Sequence, residues 1–99
     1  MDLPKSITIL GRRWFDRGPG NTYHSATAIV DGEVKARIDF AYGYGDQYLH
    51  NAFAALERAE VIPAHNRDNY GYAAPWSRCE ALGIKLHYEA ADVQRRKDL

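Results

Sequence analysis

Hydrophobic and polar residues alternate along several stretches of the chain, which is the pattern of half-buried β-strands. A first strand is predicted at residues 7–15, which are rich in β-branched and aromatic residues, and it ends at residues 17–21, where two glycines and a proline form a strong turn signal. Residues 23–30 and 33–42 flank Asp31-Gly32, a dipeptide typical of a two-residue type I′ hairpin turn. Alternation returns in residues 84–90. The pattern predicts three consecutive strands and one later strand.

The Asp31-Gly32 turn also predicts the register of the second hairpin. Val30 then lies opposite Glu33, and His24 lies opposite Asp39. Alternation predicts a core-facing set of Tyr23, Ser25, Thr27, Ile29, Val34, Ala36, Ile38 and Phe40. The opposite, polar face is predicted to carry His24, Ala26, Ala28, Lys35, Arg37 and Asp39.

Helical periodicity replaces strand alternation in residues 46–59, where Leu49, Ala52, Phe53 and Leu56 form one apolar stripe. Asp46 is expected to cap this helix by accepting a hydrogen bond from a free backbone N–H group. A shorter second helix is predicted from Pro75 to just before Gly83, after a polar surface loop at residues 63–74. The predicted fold is a single α+β domain over residues 1–99. It is a small antiparallel sheet in the order β-β-β-α-α-β, with one main helix packed on one face.

Composition limits the classes of function. The 99 residues include 13 basic and 13 acidic side chains, so no net field attracts a polyanion or a membrane. The single cysteine, Cys79, excludes an internal disulfide and agrees with a reducing compartment. Residues 1–5 show no apolar h-region, and no apolar run approaches the length of a membrane span, so we expect no export signal and a cytoplasmic location.

Arginines and aromatic residues of the predicted hairpins are the candidates for ligand binding. Guanidinium groups attract phosphates and aromatic rings stack on bases, which is the combination used for nucleotides and single strands. Nearby Asp16, Glu33 and Asp39 dilute the positive potential. The predicted ligand-binding residues are Arg12, Arg13, Trp14, Tyr23, His24, Arg37, Tyr42, Tyr44 and Gln47.

Three other chemistries are weighed against this binding hypothesis. His24 opposite Asp39 offers an acid–base pair, but a structural cross-strand pair is the expected role. No two histidines have zinc spacing, and Cys79 has no second cysteine near it. Gly43-x-Gly45 lacks the rest of either phosphate-loop fingerprint, so a turn is expected there. The sequence predicts no catalytic residue, no metal and no cofactor.

Two resemblances supply context. Residues 22–59 are similar in topology to the β-β-β-α part of double-stranded-RNA-binding domains, although Asp46 and Gln47 stand where that family carries phosphate-contacting lysines. The whole chain resembles a group of short, functionally unassigned proteins of phages and mobile elements. The hallmarks of that group here are residues 13–15, 20–25, 42–49 and 92–99.

The phage resemblance implies an accessory protein that binds and blocks a host component or sequesters a small defence signal. We therefore expect a non-enzymatic binding protein in the host cytosol whose partner is a host protein or a small anionic, nucleotide-like ligand. The alternative is a nucleic-acid-binding module. Exposed edge strands make a homodimer a further possibility. The polar sheet face is predicted to be either a binding site or a dimer interface.

Overall fold

The structure is a computed structural model that describes residues 2–64 and 74–99. Most of the loop predicted at residues 63–74, with Tyr70 and Tyr72, lies outside the described residues. The strands are β1 (Ser6–Asp16), β2 (Asn21–Val30), β3 (Glu33–Tyr42) and β4 (Lys85–Val93). The helices are α1 (Gln47–Arg58), α2 (Pro75–Leu82) and a short 3₁₀ turn at Arg96–Asp98. The α+β class matches the prediction, and the predicted element order is matched in part, since a 3₁₀ turn follows β4.

The four strands form one sheet in the spatial order β3-β2-β1-β4. β1 pairs with β2, and β2 with β3, in antiparallel fashion, whereas β4 pairs with β1 in parallel. The prediction of a wholly antiparallel sheet was therefore wrong. The physical reason is that α1 and α2 intervene between β3 and β4, and a crossover of this kind returns the chain in the same direction.

The predicted hairpin turn is confirmed, because Asp31 (φ 49°) and Gly32 (φ 85°) both adopt positive φ and Val30 pairs with Glu33. Two register shifts, between Ala28 and Ile29 and between His24 and Ala26, then change the pairing. His24 consequently lies opposite Ala41, so its predicted pairing with Asp39 was wrong. Bulges of this kind place an extra residue on one strand and re-aim the side chains that follow.

The core side of β2 was also predicted wrongly. The residues of β2 that are buried on the helix side are His24, Ala26, Ala28 and Val30. The opposite face carries Tyr23, Ser25, Thr27 and Ile29, of which only Ser25 is buried. On β3 the bulges leave Ala36 and Ile38 against the core but turn Val34 and Phe40 outward. The small side chains of Ala26 and Ala28 allow a helix to approach the sheet closely, a role that hydrophobicity alone does not reveal.

Helix α1 packs as its apolar stripe predicts, with Leu49, Ala52, Phe53 and Leu56 all buried. Tyr48 is buried beside them over Gly11, where an added Cβ would collide with the Tyr48 ring. Helix α2 begins at Pro75 and ends at Leu82, just before Gly83, as predicted, and Gly83 caps it in the left-handed conformation. Asp46 does occupy the N-cap position of α1, but its side chain makes no capping hydrogen bond, so that detail was wrong.

The helices leave one face of the sheet without a helical cover. α1 contacts β1, β2 and β3, and α2 contacts α1 and β4 on the same side. On the opposite face, here called the open face, the described chain contributes only the segment that follows β4.

Candidate binding surface

Three aromatic rings from neighbouring strands stack across the open face. Trp14 on β1 lies 5.9 Å from Tyr23 on β2, with 27° between the ring planes. Tyr23 lies 4.8 Å from Phe40 on β3, with 16° between the planes. Cross-strand aromatic pairs of this geometry contribute about 0.5–1.5 kcal/mol each beyond the area that they bury. We call Trp14, Tyr23 and Phe40 the aromatic ladder.

The local structure explains how these rings meet. Trp14 and Tyr23 are direct partners in the β1–β2 register. Phe40 joins them because the register shift between Ala26 and His24 turns it away from the core. Tyr42 adds an edge contact to Tyr23 at 5.8 Å and is itself 62% exposed.

The chain after β4 crosses the open face and reaches the ladder. The guanidinium carbon of Arg96 lies 4.4 Å from the centroid of the Phe40 ring, a cation–π distance. Arg12 Nη1 donates a hydrogen bond of 3.0 Å to the backbone oxygen of Asp98. From its sequence, the basic run Arg95-Arg96-Lys97 is expected to be a solvated end of the chain. Its side chains are exposed, but Arg96 also contacts the sheet through Phe40.

Next to the ladder lies a central groove of about 630 Å³. Arg37 is engaged there, because its Nε lies 2.8 Å from Asp39 Oδ1 and its Nη1 donates to Thr27 Oγ1 at 2.7 Å. Arg12 instead donates a hydrogen bond to the Asp98 carbonyl and forms no ion pair with a carboxylate among the described residues. The lining of the central groove is Leu10, Gly11, Arg12, Ser25, Thr27, Arg37, Glu89, Ala90 and Ala91.

A second groove, of about 520 Å³, lies where the ends of β1 and β4 extend together, and we call it the terminal groove. Arg13 is fixed within it, with Nε 3.0 Å from Asp92 Oδ1 and Nη1 donating to the Gly45 carbonyl at 3.0 Å. Arg17 makes no ion pair with any residue in the described ranges. The lining of the terminal groove is Arg13, Trp14, Phe15, Arg17, Thr22, Asp92, Val93 and Gln94.

His24 lies on the other side of the sheet and has a structural role. It is fully buried, and its Nδ1 lies 3.1 Å from the Gly43 carbonyl, which can only accept a hydrogen bond. Nδ1 must therefore carry the proton, and Nε2 accepts from Asn51 Nδ2 at 2.9 Å. Gln47 Nε2 donates to Asn51 Oδ1 at 3.0 Å and completes the network. The network ties β2 to the start of α1 and leaves no catalytic dyad with Asp39.

The predicted ligand-binding residues thus divide into separate places. The open face collects Arg12, Trp14, Tyr23, Arg37 and Tyr42, whereas Arg13 lines the terminal groove beside Trp14. His24 and Gln47 belong to the buried network, and Tyr44 is 75% exposed in the loop before α1.

Sequence reasoning missed the contributions of Phe40 and Arg96 to this surface. Phe40 was assigned to the core by simple alternation, and Arg96 was assigned to a solvated end. The only sequence signal for them was the presence of an aromatic residue and a cation, which does not specify a contact across the sheet.

Within the described residues no group of three or more His, Cys, Asp or Glu side chains is arranged to hold a metal ion. Nor does that part of the chain contain a helix long and apolar enough to cross a membrane. No protein-family model, no curated protein and no solved structure matches the chain.

Proposed function

We propose that the protein is a non-enzymatic binding protein that sequesters a small anionic ligand at the aromatic end of its open face. The observation that supports this proposal is the aromatic ladder, which a folded chain leaves partly exposed beside basic side chains. Phe40 is 42% exposed even with Arg96 packed on it. Exposed apolar patches rimmed by polar groups are typical of interaction sites in proteins.

The shape of the surface favours a small ligand. The central and terminal grooves, of about 630 Å³ and 520 Å³, lie within the range of about 300–1,000 Å³ typical of small-molecule sites. A site for another protein would be expected to be flatter and larger. The grooves therefore favour sequestration over the blocking of a protein surface.

Local charge favours an anion. The chain as a whole has a formal net charge of +0, so any attraction must be local. Arg12 and Arg17 border the ladder without a carboxylate partner among the described residues, and such guanidinium groups bind phosphate or carboxylate well. The phage and host-cell context comes from the sequence resemblance alone and remains a prediction, as does a cytosolic location.

Blocking of a protein partner, or self-association, is the second candidate. It is favoured by β3, which is an edge strand of the sheet and exposes Val34 and Tyr42 at 63% and 62%. Nucleic-acid binding remains a third prediction and requires affinity that falls steeply with salt.

Native mass spectrometry tests the proposal. Purified protein is incubated with a protein-free extract of bacterial cells and weighed under native and under denaturing conditions. We expect an added mass of a few hundred daltons, on the scale of a drug-sized ligand, that disappears on denaturation. A protomer that carries no added mass would contradict small-ligand sequestration, and a doubled native mass would favour the second candidate.

A further inference from the structure

We propose that the terminal groove binds a nucleotide unit, with the base stacked on Trp14 and the phosphate held by Arg17. This inference rests on the proposed function and names the ligand chemistry and the groove that takes it. The nucleotide unit has two possible sources, a free mononucleotide or the end of a nucleic-acid strand, and both present the same base and phosphate.

The stacking surface comes from the position of Trp14 at the end of the ladder. One face of the indole is turned toward Tyr23 on β2, at 5.9 Å and 27°. The other side of Trp14 is the β4 side, where its register partner Val93 lines the same groove. A planar heteroaromatic ring placed there would extend the stack by one ring. Proteins that bind single-stranded nucleic acid hold its bases by stacking them on aromatic side chains in this way.

Polar groups elsewhere in the terminal groove suit the edge of a base. Gln94 and Thr22 both line the terminal groove. The Gln94 amide offers both donors and an acceptor, and the Thr22 hydroxyl offers one donor and two acceptor positions. Nucleobases present donors and acceptors side by side on their edges, so this lining matches a base better than a purely apolar ring.

The phosphate site follows from the charges of the groove. Arg13 and Arg17 both line it, but Asp92 is already paired with Arg13 at 3.0 Å. Arg17 therefore supplies the positive charge that no described carboxylate compensates. A guanidinium group binds a phosphate through two parallel hydrogen bonds, which adds orientation to attraction. The volume of about 520 Å³ is large enough for one mononucleotide.

Trp14 also supplies the signal for the test. The chain has two tryptophans, Trp14 and Trp76, so the Trp76→Phe protein reports on Trp14 alone. This protein is titrated with adenosine monophosphate, adenosine, inorganic phosphate and a 5′-phosphorylated oligothymidylate, and Trp14 emission is followed. We expect adenosine monophosphate to quench the emission and to bind about tenfold or more tightly than adenosine.

Replacement of the proposed phosphate ligand gives the second part of the test. Arg17→Ala should weaken binding of adenosine monophosphate by about tenfold while leaving adenosine unchanged. Arg58→Ala removes an exposed arginine at the far end of α1 and should change neither. Far-ultraviolet circular dichroism establishes that both variants are folded.

The outcomes separate the two sources and the two proposals. Stronger quenching by the mononucleotide supports a free ligand, and stronger, salt-sensitive quenching by the oligonucleotide supports a strand end. The inference is overturned if no nucleotide quenches Trp14 emission at up to about 1 mM. It is also overturned if Arg17→Ala binds adenosine monophosphate as tightly as the protein with Arg17 does. If the cell extract still yields a bound mass in that case, the proposed function stands and only the nucleotide assignment fails.

Discussion

The guanidinium of Arg96 lies 4.4 Å from the centroid of the Phe40 ring. The chain after β4, one edge strand, therefore contacts β3, the strand at the opposite edge of the sheet. This contact closes the ladder at its β3 end, since Phe40 has Tyr23 on one side and Arg96 near its ring. Trp14, at the other end of the ladder, stacks on Tyr23 and on no second ring among the described residues.

The Arg96–Phe40 contact can be measured by a double-mutant cycle with Arg96→Ala and Phe40→Leu. We expect a coupling of about 0.5–1 kcal/mol in the free energy of unfolding, the value typical of an exposed cation–π pair. Urea denaturation of the four proteins gives the coupling. Arg95→Ala paired with Phe40→Leu is the control, because the described contact of Arg95 is with Asp98. A coupling within error of the control pair would contradict the contact.

His24 is expected to matter for stability rather than for ligand contact. His24→Ala leaves the Gly43 carbonyl and the Asn51 amide without their buried partner, which should lower the free energy of unfolding by about 3 kcal/mol. His87→Ala is the control; this exposed histidine lies 3.5 Å from Glu89, and its loss should change stability by less than about 0.5 kcal/mol. Equal urea midpoints for the two variants would show that the buried network contributes nothing.

Gly11 is expected to be required because Tyr48 packs directly over its backbone. Gly11→Ala places a Cβ against the Tyr48 ring and should destabilise the fold by about 1–3 kcal/mol. Gly18→Ala is the matched control, because a Cβ there meets only Asp16 Oδ1 at an ordinary 3.5 Å. Thermal unfolding of both variants makes the comparison, and the cost of Gly11→Ala should be smaller when it is introduced into a Tyr48→Ala protein. A Gly11→Ala protein as stable as Gly18→Ala would contradict the packing.

Cys79 is expected to make stability depend on pH in the alkaline range. Burial raises the pKa of the Cys79 thiol from 9.0 to about 11, with Arg78 opposing the shift. Between these values the unfolded chain releases a proton that the folded chain keeps. The free energy of unfolding should therefore fall as pH rises through this range, by at most about 1.4 kcal/mol per pH unit. Below pH 9 this contribution is fully present.

Cys79→Ala isolates that effect. Its stability should be lower at pH 8 because of the cavity, but the fall between pH 9 and 11 should be smaller than in the unmodified chain. Parallel urea curves at each pH give both slopes, and equal slopes would contradict the assignment. The buried thiol should also resist alkylation at pH 8 until the chain is unfolded.

The sequence predicted the features that depend on local pattern. The α1 stripe from Leu49 to Leu56, the Asp31-Gly32 turn and the Pro75 start of α2 each follow from a short-range rule, and each is confirmed. Element order followed from the same patterns.

The features that depend on relations between strands were not predictable in the same way. Alternation gives two faces for β2 but does not say which one the helix covers, and Ala26 and Ala28 carried little hydrophobic signal. The bulges that send Phe40 to the open face leave no mark in residue type. The parallel pairing of β4 with β1 is a property of the crossover, and the contact of Arg96 with Phe40 depends on it.

The relations between strands also decide where the predicted ligand-binding residues lie. Arg12, Trp14 and Tyr23 come together as a basic and aromatic surface, whereas His24 and Gln47 are drawn into the buried network. Residue type predicts a kind of chemistry, whereas the register of the strands decides which residues share a face.

The most direct test of the central claim, that the Trp14 end of the open face binds the ligand, compares two variants in the native mass experiment. Trp14→Leu removes the ring on which we propose that the ligand stacks, and Tyr44→Ala removes an aromatic ring that is 75% exposed outside the ladder. The account predicts that the mass acquired from cell extract is lost in Trp14→Leu and kept in Tyr44→Ala, with both proteins folded. Retention of the full bound mass by Trp14→Leu would contradict it.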